Sequence, residues 1–346
     1  MEQVASDQVR PARPRLPNPE ELSARLRAWL GDRYQCRALD VESPAVATGG
    51  QDFATYMVHF SGHGLPAEWR EPLAVRLASH AGRYPDVDRE ARLQGWCAEH
   101  GYPAPAVLAV LPPGEVAAVP VEVMARVAGE TMAAAMLTPG ATSGAMIYHL
   151  AGLAADLHAL PLPQWASADD ASWSVASRHL TLTRYLTSRG DAPELAAALK
   201  RVDHLAPRLL NAEPVICHGD LHPLNVLVDG DRCGVIDWTE SGLGDRHADL
   251  SRTCLIFEWL AEGLLGVGFA GADALGAAFL DAYQRRHAVD PDRLALWRPL
   301  HLLHGWAMAV GQESGSWGSN PGGIATAPGW RSWMEREFEA AMAALS

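Results

Sequence analysis

The chemistry that this sequence can perform is concentrated in a short stretch that contains Asp220, Asn225 and Asp237. Asn225 opens one apolar run and Asp237 closes the next, and an Asp-Gly dipeptide lies between the two runs. Because Asp-Gly supplies the positive φ of a tight turn, the two runs are predicted to form a hairpin. Folding one run back on the other places Asn225 beside Asp237 at the open end, and Asp220 lies in the loop that leads into it.

The register of this hairpin follows from counting outward from its turn. We expect Val228 to pair with Cys233, and Val226 to pair with Val235. Pro223 keeps the preceding loop out of helix, because the residue before a proline is disfavoured in the helical region. The open end of the hairpin is therefore predicted to carry the polar residues, with a non-helical loop beside it.

Two carboxylates and one amide oxygen at a single point are hard oxygen ligands of the kind that suits Mg²⁺, which shares its shell with waters and phosphates. Asp220 is set apart from the pair formed by Asn225 and Asp237. A lone carboxylate beside a metal–phosphate site can accept the proton of an attacking hydroxyl group. This set of groups is suited to phosphoryl transfer.

The order of these motifs resembles the catalytic core of the aminoglycoside phosphotransferase and choline kinase superfamily, small-molecule kinases with a protein-kinase-like fold. The similar blocks are His218-Gly-Asp220 followed by Asn225, then Ile236-Asp237, then Gly244-Asp245 followed by Asp249-Leu250. The resemblance implies that Asp220 is the catalytic base and that Asn225 and Asp237 bind Mg²⁺. It also implies that His218 holds the catalytic loop and that Asp245 braces it.

The same resemblance implies a nucleotide-binding site in the first half of the chain. Gly49 and Gly50 would form the turn over the nucleotide phosphates. Arg76 would replace the usual strand lysine, because the sole lysine of the chain, Lys200, lies far downstream. Arginine binds phosphate in a bidentate manner, so the exchange is chemically allowed. Glu90 matches the helical glutamate that pairs with this cation.

Met124, Ala125 and Val127 match the hinge of such kinases, whose backbone groups would contact adenine. The expected fold class is α+β, a bilobal protein-kinase-like fold with a small β-rich N-lobe and a larger, mainly helical C-lobe. We expect three regions, which are a flexible arm over 1–19, a nucleotide-binding N-lobe over 20–126, and a C-lobe over 127–346 that carries the catalytic and acceptor-binding sites. The helices after residue 250 would form the wall of the acceptor site.

Hydrophobic periodicity supplies the elements that must position these groups. It predicts helices over 20–30, 87–100, 146–160, 193–210, 251–265, 273–286, 291–310 and 330–345, and strands over 54–60, 72–78, 107–111 and 120–124. Residues 165–191 are polar and are expected to be irregular.

Composition limits the partners and the compartment. The 346 residues are enough for two lobes, and the net charge of −13 argues against nucleic acid and anionic membranes as partners. Five scattered cysteines form no disulfide framework and no zinc motif, which fits a reducing cytosol. Residues 1–19 contain no apolar core, so we expect no secretory signal and a cytoplasmic location.

The kinase interpretation has several alternatives. A zinc site at His218, Asp220 and His222 is disfavoured, because no other dense group of His and Cys lies near it in sequence. The sequence contains no Walker-type phosphate loop and no G-x-S-x-G hydrolase motif. The acceptor stays open between an antibiotic (aminoglycoside or macrolide) and a choline-, homoserine- or sugar-type metabolite. ATP and GTP both stay open as donors, the oligomeric state stays unknown, and a silent nucleotide-binding module is the alternative to an enzyme.

Overall fold

The computed structural model describes residues 15–36, 39–42, 45–46, 53–138, 143–189, 192–259, 272–313 and 329–345. The chain forms two compact units. The first contains Met1–Ala98 and Pro105–Val127, and the second contains Glu99–Ala104 and Ala128–Ser346. Within the described residues, the first unit is rich in strands and the second is mainly helical, so the predicted α+β class is confirmed.

The strands are β1 Leu39–Val41, β2 Ala45–Val46, β3 Phe53–Val58, β4 Phe60–Gly62, β5 Leu73–Ala78, β6 Val107–Leu111, β7 Val121–Ala125, β8 Glu130–Thr131, β9 Val215–Cys217, β10 Val226–Asp229, β11 Arg232–Val235 and β12 Gly242–Gly244. The helices are α1 Pro19–Tyr34, α2 Tyr84–Glu99, α3 Met132–Leu137, α4 Ser143–His158, α5 Val175–Arg189, α6 Pro193–Asp203, α7 Ala206–Leu210, α8 Arg246–Trp259, α9 Ala272–Gln284, α10 Pro291–Glu313 and α11 Trp330–Ala344. Two short 3₁₀ helices span Ala67–Arg70 and Ala81–Arg83.

The first unit is built on an antiparallel sheet with the strand order β2-β3-β5-β7-β6. Alternating apolar side chains of β5 and β7, such as Val75 and Val121, are fully buried, as period-2 patterning requires of a strand that faces a core. Helix α1 adds Leu22 and Leu26 to the same core. The helix begins with a capping box at Asn18, which accounts for its start at the end of the predicted arm.

In the second unit, helix α10 is the central element and packs against α5, α8 and α11. Its apolar side chains, including Trp297, Leu300 and Leu303, are fully buried. Small antiparallel sheets, β8-β10-β11 and β9-β12, carry the motif region. None of the helices formed by the described residues is both long and apolar enough to cross a membrane.

The prediction that residues 165–191 are irregular is wrong for helix α5. Ala176, Leu180 and Thr183 are buried at helical spacing, while Arg184 and Tyr185 are exposed. The polar composition of this segment hides an amphipathic helix whose narrow apolar stripe faces the core. The predicted strands agree closely with the structure, since the strand expected over 72–78 is β5.

Candidate active site

The hairpin register predicted from the sequence is confirmed. Val226 faces Val235 and Val228 faces Cys233 in the β10–β11 pair. The turn contains Gly230 with a φ of 60°, as expected for a tight turn that needs a left-handed residue. The hairpin therefore presents the residues that flank its strands at one open end.

Asn225 and Asp237 lie together at that open end. The N–H of Ile236 donates to the carbonyl oxygen of Asn225 at 2.9 Å, which extends the pairing by one step beyond β10 and β11. Asp237 has a φ of 64°, a left-handed conformation that few residues other than Gly, Asn and Asp adopt. Its Oδ1 accepts a hydrogen bond from the hydroxyl of Thr239 at 2.6 Å.

The Asp220 carboxylate lies beside this end of the hairpin. The side-chain amide of Asn225 donates to Oδ2 of Asp220 at 3.2 Å and to its carbonyl oxygen at 3.0 Å. Nε2 of His222 lies 3.2 Å from the same Oδ2, and Nε of Arg252 donates to Oδ1 at 3.0 Å. Burial alone would raise the pKa of Asp220, but the interactions with His222 and Arg252 hold that pKa well below its usual range. Asp220 is therefore an oriented anion.

His218 links the loop of Asp220 to the hairpin. Its Nε2 lies 3.1 Å from the carbonyl oxygen of Ile236, and its Nδ1 accepts a hydrogen bond from the N–H of Asp220 at 3.3 Å. Both contacts are satisfied only by the neutral ring with its proton on Nε2. Burial lowers the pKa of His218, which favours that neutral form. The ring fixes backbone positions, and its one proton is engaged by the carbonyl oxygen of Ile236.

Asp249 on α8 binds the backbone of the same loop. Its carboxylate accepts hydrogen bonds from the N–H of His218 at 2.8 Å and from the N–H of Gly219 at 2.6 Å. Nε2 of His158 lies 3.2 Å from the carboxylate. Although burial acts to raise the pKa of Asp249, these hydrogen bonds outweigh it and the pKa is lowered. Asp249 is thus a buried anion that fixes two consecutive loop amides.

Gly219, which precedes Asp220, cannot be replaced without moving the loop. Its φ is 80°, and a Cβ built on it would lie 2.3 Å from the carbonyl oxygen of Glu240. Only glycine satisfies both the left-handed backbone and this close approach. The sequence His-Gly-Asp is therefore explained by geometry as well as by chemistry.

Asp245 has a different task from the one that the resemblance implied. Its carboxylate accepts hydrogen bonds from the ring of His247 at 2.6 Å, from Arg293 at 2.9 Å and from the indole of Trp297 at 2.8 Å. These contacts tie the start of α8 to α10. The hydrogen bonds to the loop amides are made by Asp249, four residues later and inside α8.

A second group of potential metal ligands, His158, Cys217 and Asp249, is buried in the described part of the chain. Both nitrogens of His158 are engaged, since Nδ1 lies 2.7 Å from the hydroxyl of Tyr283 and Nε2 contacts Asp249. Burial raises the pKa of the Cys217 thiol well above its usual range, and the thiol lies 3.4 Å from the carbonyl oxygen of Asp245, to which it donates. This group is a structural hydrogen-bond network.

The predicted nucleotide residues are distributed over the first unit. Gly49 and Gly50 lie outside the described residues. Arg76 lies on β5, with its guanidinium carbon 3.9 Å from the centroid of the Phe53 ring and Nη1 3.4 Å from the buried carboxylate of Glu122. Arg76 is therefore held as a stacked, ion-paired cation on the strand where the resemblance placed it.

Glu90 is buried on α2, and its carboxylate lies 3.3 Å from Arg89 and 3.6 Å from Arg83. In the predicted hinge, the N–H of Ala125 donates to the carbonyl oxygen of Ala106 at 2.8 Å. That donor is already paired within the first unit. Met124 is buried at the end of β7, and Val127 follows the strand as the last residue of the unit.

The sequence interpretation gave no role to Arg252 and assigned none to Asp249. Both residues lie on α8, 32 and 29 positions after Asp220, so no local pattern connects them to it. Their spacing is the one indication in the sequence. An acidic and a basic side chain at i and i+3 share one helical face directly after the motif. His222 lies two residues after Asp220, but its contact with Asp220 depends on the fold of the loop.

A β-rich unit, a mainly helical unit and an oxygen-donor cluster on a hairpin are features of small-molecule kinases with a protein-kinase-like fold. The model of the phosphotransferase enzyme family APH matches residues 45–297. The match covers more than half of the chain, and the chain belongs to this family. It is therefore a phosphotransferase that uses an alcohol group as acceptor.

An aminoglycoside 3'-phosphotransferase of Streptomyces fradiae is 30% identical over 244 residues, which are 66% of this chain and 86% of the relative. Among solved structures, an amicoumacin kinase in complex with AMP-PNP, Ca²⁺ and its antibiotic has a TM-score of 0.60 at 11% identity and covers 94% of this chain and 96% of its own. A choline kinase from Cryptosporidium parvum has a TM-score of 0.57 at 13% identity, with 88% of each chain covered. These two structures share the fold with this chain.

Proposed function

We propose that this protein transfers the γ-phosphoryl group of ATP or GTP to a hydroxyl group of an antibiotic of the aminoglycoside or macrolide type, with Mg²⁺ as its metal. The observation that carries the proposal is the contact of Asp220 with Asn225, at 3.2 Å, at the hairpin end that Asp237 shares. The acceptor class is supported by the 30% identity to an aminoglycoside 3'-phosphotransferase.

In the proposed reaction, Asp220 is the catalytic base. The acceptor hydroxyl oxygen forms a bond to the γ-phosphorus while the bond from that phosphorus to the β–γ bridging oxygen breaks, and the electron pair leaves with the nucleoside diphosphate. The hydroxyl proton passes to a carboxylate oxygen of Asp220. An ionised, hydrogen-bonded carboxylate suits this task, because it is free of protons and already oriented before the acceptor arrives.

Asn225 and Asp237 would hold the metal. The fit is supported by the donor set, which offers one carboxylate and one amide oxygen at a single hairpin end, and by the left-handed backbone that Asp237 adopts there. Bound Mg²⁺ supplies positive charge that offsets the charge of the β- and γ-phosphates. Asn225 also orients the base, since its amide group donates to Asp220.

The nucleotide-binding function is assigned to the first lobe, over 20–126, and the catalytic and acceptor-binding functions to the second, over 127–346. Arg76, which Glu90 is proposed to orient, would contact the phosphates together with Gly49 and Gly50. Met124 and Val127 would offer backbone groups to the base of the nucleotide, and Ala125 would offer its carbonyl oxygen. Support comes from the position of Arg76 on β5, where its charge is held in place by Phe53 and Glu122.

The test is a coupled ADP- and GDP-release assay of the purified protein with Mg²⁺ and each nucleotide. The acceptor panel contains an aminoglycoside with a free 3'-hydroxyl, a macrolide, choline and homoserine. We expect turnover with one of the two antibiotics, and a loss of about 10² or more in the variant Asp220→Asn. Asp231→Asn, at the exposed turn of the same hairpin, is the matched control and should keep wild-type turnover.

Two outcomes separate the parts of this proposal. Turnover with choline or homoserine alone would contradict the antibiotic class and keep the kinase mechanism. Wild-type turnover of Asp220→Asn would contradict the assignment of the base, whichever acceptor is used.

A further inference from the structure

Arg252 makes a direct contact with the proposed base. Its Nε donates to Oδ1 of Asp220 at 3.0 Å, and the two side chains are 21% and 23% exposed. Arg252 lies three residues after Asp249 on α8, so both face the same side of that helix. On this helical face, Asp249 binds the backbone that precedes Asp220, and Arg252 binds the carboxylate of Asp220.

The surroundings of Arg252 direct its charge to Asp220. Within the part of the chain that the structure describes, the hydrogen bond to Asp220 is the only one that its side chain makes. Three buried histidines, His179, His301 and His304, are close enough for the positive charge of Arg252 to act on them. Burial, with a smaller contribution from Arg252, lowers the pKa of each ring, so these neighbours are uncharged near neutral pH. Arg252 is therefore a cation that pairs with the Asp220 carboxylate, while the three histidines add no positive charge near it.

The contacts of Asp220 distinguish its two oxygens. Oδ2 already has two neighbours, the amide nitrogen of Asn225 and the ring nitrogen of His222. Among the residues that the structure describes, Oδ1 has one hydrogen-bond partner, which is Nε of Arg252. Because each carboxylate oxygen has two lone-pair directions, Oδ1 keeps one direction for a further hydrogen.

We infer that Arg252 is a positioning residue for Asp220, which fixes the carboxylate so that Oδ1 faces the acceptor hydroxyl and receives its proton. The inference rests on the proposed function of Asp220 as base. Arg252 itself stays protonated throughout and exchanges no proton. A lysine at this position carries the charge but lacks the planar group whose Nε fixes the direction of the hydrogen bond.

The experiment compares Arg252→Ala and Arg252→Lys with the wild-type enzyme, using Mg-ATP and the panel acceptor of highest turnover. For Arg252→Ala, we expect kcat to fall by about 10- to 100-fold while both KM values change by less than about twofold, since misplacing a reacting group costs rate rather than binding. The kcat of Arg252→Lys should lie between those of Arg252→Ala and the wild type. Guanidinium chloride at low millimolar concentration should restore part of the kcat of Arg252→Ala, and sodium chloride at the same concentration should not.

Arg298→Ala is the matched control. Arg298 is also a partly exposed arginine that pairs with an acidic side chain, since it contacts Glu258 of α8 at 2.7 Å. Its removal should leave kcat unchanged. Thermal unfolding of all variants separates a loss of fold from a loss of rate, and rescue by guanidinium itself requires a folded protein.

A double-mutant cycle decides how Arg252 acts. If it acts only through Asp220, Arg252→Ala should cost no further activity in the Asp220→Asn background. An equal loss in both backgrounds, a rise in KM without a fall in kcat, or wild-type activity of Arg252→Ala would each overturn the inference while the base assignment stands. Wild-type turnover of Asp220→Asn alone would overturn the proposed function and, with it, the role of Arg252.

Discussion

The N–H of Gly219 donates to the carboxylate of Asp249 at 2.6 Å, which joins the residue before the proposed base to a buried helical anion 30 positions later. The preceding N–H, that of His218, binds the same carboxylate at 2.8 Å. Neither contact involves a reacting group. Together they fix the direction in which the chain enters Asp220, so the geometry of the site depends on a residue that is fully buried on α8.

Asp249→Asn tests this dependence. An amide offers one acceptor oxygen, and its NH₂ group would face a loop N–H, which leaves a buried donor unpaired. We expect the free energy of unfolding to fall by about 2–4 kcal/mol, the cost of losing hydrogen bonds to a buried charge. We expect kcat to fall as well, because the loop of Asp220 loses its support. Urea unfolding and steady-state turnover measure the two effects.

The control for Asp249→Asn is Asp281→Asn on α9, an exposed aspartate that pairs with Arg285 at 2.8 Å. An exposed ion pair of this kind should contribute less than about 1 kcal/mol. If Asp249→Asn is as stable and as active as this control, the loop does not depend on Asp249.

Asp237 and Asn225 should respond differently to Mg²⁺ when each is changed. Asp237→Asn removes a full negative charge beside the anionic phosphates, so the Mg²⁺ concentration that gives half-maximal turnover should rise steeply. Asn225→Ala removes a neutral oxygen that water can replace, so its cost should be smaller and partly reversed by high Mg²⁺. Mn²⁺ should rescue both variants better than Ca²⁺, because its size and ligand preference are closer to those of Mg²⁺.

A Mg²⁺ titration of turnover, at a fixed excess of nucleotide, measures these midpoints. Asp231→Asn supplies the matched control, since it removes a charge from the other end of the same hairpin. Wild-type midpoints in both Asp237→Asn and Asn225→Ala would show that the hairpin end does not hold the metal.

Arg76 should contribute to nucleotide binding more than to acceptor binding. Removing it alone deletes the 3.4 Å ion pair with the carboxylate of Glu122, which is 1% exposed, and destabilises the sheet. The informative variant is therefore Arg76→Gln combined with Glu122→Gln, which removes both charges. We expect the KM for the nucleotide to rise about tenfold or more, with the acceptor KM nearly unchanged. Glu122→Gln alone is the control, and an unchanged nucleotide KM in the double variant would mean that Arg76 only stabilises the sheet.

The sequence predicts those contacts of the site that join residues close together in the chain, as within the β10–β11 hairpin. The register of Val226 with Val235 follows from counting outward from a turn, so the meeting of Asn225 and Asp237 could be inferred. The contacts of Asp220 with Arg252 and of Gly219 with Asp249 join positions about 30 residues apart through the packing of α8. No local periodicity encodes such a distance. Helix α5 was missed for a related reason, because its buried stripe includes Thr183 and His179, whose polarity suggests a surface.

His179, His301 and His304 form a buried cluster. The ring centroid of His179 lies 5.4 Å from that of His301 and 5.9 Å from that of His304. Burial lowers the pKa of all three, and that of His304 falls to about 3. An unfolded chain binds protons at these positions once the pH drops below about 6.5, whereas the folded chain does not until the pH is far lower. The folded state is therefore destabilised as the pH falls through this window.

His304→Leu should reduce this acid sensitivity. Between about pH 6.5 and 5.5, where unfolded carboxylates still titrate little, each buried neutral histidine costs up to about 1.4 kcal/mol of stability per pH unit. Removing one such group should reduce the fall of the unfolding free energy per pH unit by that amount. The absolute stability at pH 7.5 can change as well, because the hydroxyl of Thr183 lies 3.3 Å from Nδ1 of His304 and loses this contact. The slope is unaffected by that change. Urea unfolding at about pH 7.5, 6.5, 6.0 and 5.5, a window that lies above the carboxylate pKa values of the unfolded chain, measures the slope. The exposed His63 gives the control His63→Gln, which should keep the wild-type slope. If the stability of His304→Leu declines as steeply as that of the wild type, His304 already carries a proton in the folded protein and is not a source of acid instability.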